Sequence, residues 1–153
     1  MTVTYALGGI GFAVCFHYLA QSDKPAVAAW ASAFVVGTVG ILSFVRHSVF
    51  HRSDAARMGW DYGRRNDFQI EVGLANLAFG LAAIAAWAFD WGTSAQGTIV
   101  IGYGIYMLGA VYLHASELHR SSEEGGHRFL PLIGTVSFAA LLIFFGVVSV
   151  NAA

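Results

Sequence analysis

Charge is what this sequence has least of. Asp, Glu, Lys and Arg supply 11% of its 153 residues, against about 25% in a soluble domain, while 57% are hydrophobic and the mean hydropathy is +0.63. A chain this poor in charge cannot cover a surface that faces water, so a soluble enzyme or binding domain is excluded. Cysteine is nearly absent too. Cys15 stands alone, which removes any intrachain disulfide, Cys-based zinc site or Cys-x-x-Cys redox pair. The first residues, Met1-Thr2-Val3-Thr4-Tyr5, lack the basic stretch of a secretory signal, and no small-x-small cleavage pattern precedes Asp23, so the first apolar segment is expected to remain as a span. The formal net charge is −1, and nothing in the pattern points to nucleic acid.

What is present is a series of apolar segments, each near the roughly 20 helical residues that cross a hydrocarbon core of about 30 Å. They predict an all-α integral membrane bundle, a single transmembrane domain over 1–153, with spans at about 3–20, 26–48, 68–89, 98–118 and 129–150. Tyr5, Gly8, Gly9, Gly11 and His17 dilute the first, and without it four spans would remain. Gln21-Ser22-Asp23-Lys24-Pro25 reads as a tight turn, with Pro25 in the first turn of the next helix, where its missing N–H costs nothing. Asp90-Trp91-Gly92-Thr93-Ser94 reads as a second short turn, with Trp87 and Trp91 placed like an interfacial aromatic belt.

The basic residues are strongly sided. Arg46, Arg52, Arg57, Arg64, Arg65, Arg120 and Arg128 fall in or beside the second and fourth inter-span loops, and Lys24 alone lies opposite. By the positive-inside rule those loops, and the N-terminus, are cytoplasmic and the C-terminus is outside. In the long loop, Ser53-Asp54-Ala55-Ala56-Arg57-Met58 reads as a capped helical turn ended by Gly59. Arg52, Arg57, Trp60, Arg64 and Arg65 are the expected lipid head-group contacts, each basic residue near the surface being worth about 1 kcal/mol against anionic lipid.

Inside the spans, 18 glycines and many alanines predict close helix packing, because in lipid small residues let backbones approach and gain dispersion contacts. Span three carries two such stripes, Gln69, Gly73, Asn76, Gly80 and Ala83 on one face and Glu71, Ala75, Ala78 and Ala82 on another, which places it at the centre of the bundle. Gly40, Ser43, His47 and His51 follow one stripe on span two. Tyr103, Tyr106, Ala110, His114 and Glu117 follow another on span four. Alternating span directions bring the polar ends of these helices to one leaflet, so Glu71, Asn76 and His114 are expected to cluster, with Gln69 and the Tyr103 and Tyr106 hydroxyls as partners. An ionised side chain costs about 2.5–3.5 kcal/mol in the membrane, and the cluster reads equally as a helix-joining hydrogen-bond knot or as a ligand or proton site.

Metal and haem chemistry has thin support. His47-x-x-x-His51 puts two imidazoles one turn apart, and His114-x-x-Glu117 reverses the Glu-x-x-His spacing of di-iron bundles. Six histidines are too few for the boxes of membrane di-iron oxidases. A b-type haem would need a facing pair, for which His47 and His114 are the candidates. No serine or cysteine stands beside a plausible base and orienter, so no catalytic residue is assigned.

The string Phe68-Gln69-Ile70-Glu71-Val72-Gly73-Leu74-Ala75-Asn76-Leu77-Ala78-Phe79-Gly80, with Met58-Gly59-Trp60 before it and Gly109-Ala110-Val111-Tyr112-Leu113-His114 after it, resembles a bacterial family of small multi-span membrane proteins of unknown function. The resemblance covers roughly residues 44–117. It implies a bacterial cytoplasmic membrane, and it marks Gln69, Glu71, Asn76 and His114 as positions where family members are alike. Residues 61–67 depart from the proline-containing turn the family suggests.

Two functional readings follow. In the first, the chain is a non-enzymatic bundle that self-associates or serves as a subunit of a larger membrane assembly, surrounded by lipid. In the second, Glu71, His47 and His114 form an inner-leaflet proton, metal or haem site serving transport or redox chemistry. No cofactor is favoured.

Overall fold

The structure, a computed structural model, describes residues 2–57, 65, 67–120 and 126–152, without the side chains of Thr2, Arg57, 117–120 and 126–131. The described residues are helical apart from short turns. Five helices are long and apolar enough to cross a membrane, as the hydropathy pattern predicts. These are α1 (Thr2–Ala20), α2 (Lys24–Val49), α4 (Asp67–Ala88), α5 (Thr93–Arg120) and α6 (Gly126–Val150). A short helix, α3 (His51–Arg57), lies between α2 and α4.

The turns form as their residues dictate. Between α1 and α2, Ser22 takes φ 61, and the Asp23 carboxylate caps α2 by accepting from Ala26 N at 3.0 Å. Between α4 and α5 the chain reverses through Asp90 (φ 50) and Gly92 (φ 85). Asp tolerates the left-handed region and Gly92 takes φ 85 without the strain a side chain would bring; α5 starts at Thr93, five residues before the predicted edge. Trp87 and Trp91 are exposed at that end.

α2 is not a uniform α-helix. It runs α over Lys24–Ala29, π over Trp30–Val36, α over Gly37–Phe44 and π over Val45–Val49. It also corrects the expectation that span three is central. α2 packs against α1, α4, α5 and α6, and its most apolar stretch is half buried, the largest share of any span. The reason lies on α4. Its first stripe, Gln69, Gly73, Asn76, Gly80 and Ala83, is fully buried, but on the second stripe Glu71 and Ala78 are exposed and Ala75 and Ala82 half-buried.

At two crossings glycine lets backbone meet backbone. A Cβ on Gly40 would lie 2.6 Å from Asn76 O and 2.9 Å from Gly80 Cα, so α2 and α4 touch backbone to backbone. Ser32 Oγ donates to Ala83 O at 2.8 Å on one side of this contact, and Ser48 Oγ to Ile70 O at 2.9 Å on the other. At the α5–α6 crossing, a Cβ on Gly97 would lie 2.7 Å from Gly146 O. Between the pairs sits the apolar core, including Phe12, Cys15, Val35, Val39, Val100, Leu142 and Phe145. Phe12 stacks on Phe145 with centroids 5.7 Å apart.

Candidate functional site

Two polar clusters stand out among the buried side chains. The first is near the middle of α4 and α5. Asn76 lies on the buried stripe of α4, where the absence of side chains at Gly73 and Gly80 lets α2 close over it. A bare amide in hydrocarbon would cost several kcal/mol, and this one is well supplied. Tyr103 Oη donates to Asn76 Oδ1 at 2.7 Å, while Asn76 Nδ2 donates to Tyr106 Oη at 3.0 Å and to Val72 O at 2.8 Å. The Tyr103 hydroxyl also meets Ser43 of α2. The tyrosine rings lie 5.9 Å apart and both pack on Phe79, at 5.4 and 5.7 Å. Every polar atom has a use here, so the cluster is built to join α2, α4 and α5.

The second cluster lies where α2 ends, and its centre is Asp54. The π-helical turn Val45–Val49 closes with Phe50 N donating to Val45 O, five residues back. Phe50 then leaves helical geometry at φ −101 and ψ 27, and the chain folds under itself into α3. α3 begins at His51, two residues before the predicted Ser53 cap, and Ser53 Oγ donates back to Phe50 O instead. This turn carries Asp54 beneath the end of α2. Its side chain is 2% exposed, and Arg46 Nε reaches Oδ1 at 2.7 Å. Gln69 Nε2 donates to Oδ2 at 2.7 Å. His47 Nδ1 lies 2.8 Å from Oδ2, close enough for an ion pair when the ring is protonated though not aligned as a hydrogen bond. One carboxylate thus ties α2, α3 and α4 together. Burying it costs several kcal/mol, which the Arg46 charge and the Gln69 amide offset.

The expected site residues are therefore divided rather than gathered. Gln69 belongs to the Asp54 cluster and Asn76, Tyr103 and Tyr106 to the other. Glu71 is in neither: it is exposed on the outer face of α4 and, among the described residues, has no hydrogen-bond or ion-pair partner. His114 is half-buried, eight residues beyond Tyr106 and so about 12 Å further along α5. The single cluster of Glu71, Asn76 and His114 does not form, because Asn76 faces α2 and α5 while Glu71, five residues away, points to the opposite side of α4.

For the metal and haem alternatives, His47 faces Asp54 rather than another histidine, and His51 Nδ1 lies 2.8 Å from Ser48 O. No three His, Cys, Asp or Glu side chains gather as a metal site among the described residues. The Glu117 side chain lies outside them. Of the expected head-group contacts, Arg52 and Arg65 are exposed, and Arg65 pairs with Asp67. The Arg57 side chain, Trp60 and Arg64 lie outside the described residues. His17, at the far end of α1, meets Gln21 at 3.0 Å.

Asp54 is the site residue that sequence reasoning missed. Nothing set it apart in a loop that also carries Asp61 and Asp67.

The chain belongs to the DUF6790 family, a family of unknown function, whose model matches residues 1–152. No curated protein and no solved structure matches it.

Proposed function

We propose that the protein is a non-catalytic component of a bacterial cytoplasmic membrane, with its N-terminus inside and C-terminus outside, which works by self-association or as an accessory subunit of a larger membrane assembly. The outer face of α4 carries this reading. Glu71 and Ala78 are exposed there between Phe68, Leu74 and Leu81, with Ala75 and Ala82 half-buried beside them. The large side chains suit lipid, whereas the narrow strip of small residues around the glutamate is what a second helix packs against. An exposed glutamate within a span is also costly unless a partner or interfacial water satisfies it.

The test is the native mass of the full chain in lipid nanodiscs and in mild detergent, for the wild type and for Ala78→Leu. Assembly predicts a dimer, higher oligomer or stable complex that Ala78→Leu reduces to the single chain while leaving helicity unchanged. A monomer without partner across all conditions sinks the reading.

The proton-site reading keeps one supporting observation, and it moves from Glu71 and His114 to Asp54. A carboxylate and an imidazole 2.8 Å apart at the end of α2 come within reach of proton exchange once the ring turns into line, and proton relays in membranes are built from such pairs. Proteoliposomes loaded with a pH-sensitive dye test it: proton flux that is lost in both Asp54→Asn and His47→Gln favours this reading, and flux equal to that of empty vesicles removes it.

A further inference from the structure

The Asp54 cluster does more than join helices: it fixes how α3 is rolled. Asp54 and Ala55 are buried, at 4% and 0% exposure, so the opposite side of the helix, with Arg52 and Ser53, is held outward. Three bulky apolar side chains are exposed at the same end of the bundle. Val49 and Phe50 close α2, at 58% and 59% exposure, and Phe68 opens α4 at 56%. Water would disfavour such a group, but the boundary between head groups and acyl chains is where an apolar body beside a cation is stable. Arg46 is held by Asp54 and Arg65 by Asp67. Arg52 is exposed and, among the described residues, has no carboxylate partner.

We propose that Val49, Phe50 and Phe68 with Arg52 form a site for one anionic phospholipid, its acyl chain against the apolar group and its phosphate on the Arg52 guanidinium, and that Asp54 is the positioning residue that holds α3 in place for it. The planar guanidinium fork matches two phosphate oxygens, and the apolar neighbours select a phosphate that carries a hydrocarbon tail over one free in water. The site requires membrane residence only and stands apart from the assembly reading.

The experiment is native mass spectrometry of the full chain released from nanodiscs of phosphatidylcholine containing a minor fraction of phosphatidylglycerol. The wild type should retain phosphatidylglycerol in preference to phosphatidylcholine. Arg52→Gln should lower that preference about fivefold, the factor expected for one basic residue near an anionic surface, while Arg65→Gln, already neutralised by Asp67, leaves it unchanged. Asp54→Asn in an Arg46→Gln background should lower it relative to Arg46→Gln alone, with helicity retained, because α3 is released while no second guanidinium is freed. Equal retention of the two lipids by the wild type, or an unchanged preference in Arg52→Gln, overturns the site, and an unchanged preference on adding Asp54→Asn to Arg46→Gln overturns the positioning role. Displacement by inorganic phosphate as efficient as by soluble short-chain phosphatidylglycerol overturns the lipid as its ligand, and so does a polypeptide that leaves with the Arg52 charge in place of lipid. The subunit count is read from the same spectra, so the assembly reading can fail without touching this one.

Discussion

Replacing Gly40 by Ala tests whether the α2–α4 contact holds the bundle together. The new Cβ would lie 2.6 Å from Asn76 O, 2.9 Å from Gly80 Cα and 3.0 Å from Gly80 N, roughly 1 Å inside the ordinary contact distance of about 3.5–4.0 Å. All three neighbours are backbone, so no side chain can swing away and the helices themselves must part. Overpacking of this kind costs about 1–3 kcal/mol. The Ser32–Ala83 and Ser48–Ile70 hydrogen bonds flank the contact and stretch with it, at about 0.6 kcal/mol each in a membrane protein. Alanine returns about 1 kcal/mol of helix propensity, which leaves a net loss of about 1–3 kcal/mol. Gly109→Ala is the matched control, since its Cβ would meet nothing within 4 Å and only the propensity gain remains. Reversible unfolding by SDS titration in mixed micelles reads both. Equal stability of the two variants would refute the close-packed crossing, and with it the argument that glycine on α4 serves contact with α2.

Four further outcomes follow from the same geometry. Arg46→Met should destabilise by about 3–5 kcal/mol, because it strips the main counter-charge from a buried carboxylate, whereas Asp54→Asn should cost less, since the part-exposed Arg46 can turn to water; the same titration ranks them. Tyr103→Phe removes the donor to Asn76 Oδ1 and should cost about 1–2 kcal/mol, while Tyr106→Phe should cost under about 1 kcal/mol, because Asn76 Nδ2 keeps Val72 O. In a Cys15→Ala background, a single cysteine at Arg65 should resist an impermeant thiol reagent added to intact cells and one at Asn151 should react; the reverse pattern would invert the topology. Lys24 Nζ donates to Asn151 O at the far end of the bundle, so Lys24→Met should loosen the end of α6 in hydrogen exchange with little change in global stability.

Five helices long and apolar enough to cross a membrane were legible from the hydropathy pattern, because a bilayer demands long apolar helices whatever their packing. The buried stripe of α4 was equally legible. Gln69, Gly73, Asn76, Gly80 and Ala83 recur at helical spacing, and the tyrosines of α5 are the hydroxyls in reach of an amide at that depth. Which helix is central was not legible from α4, since a second small-residue face looks the same whether the chain's own helices cover it or leave it open. Only the tertiary packing placed α2 in the middle and left Glu71 outside. Asp54 was hidden for a different reason. It lies seven and eight residues from His47 and Arg46, a separation that brings side chains together only because the π-helical turn at Val45–Val49 and the break at Phe50 reverse the chain. Periodicity describes one straight helix at a time, and this contact is made between two helices across a bend.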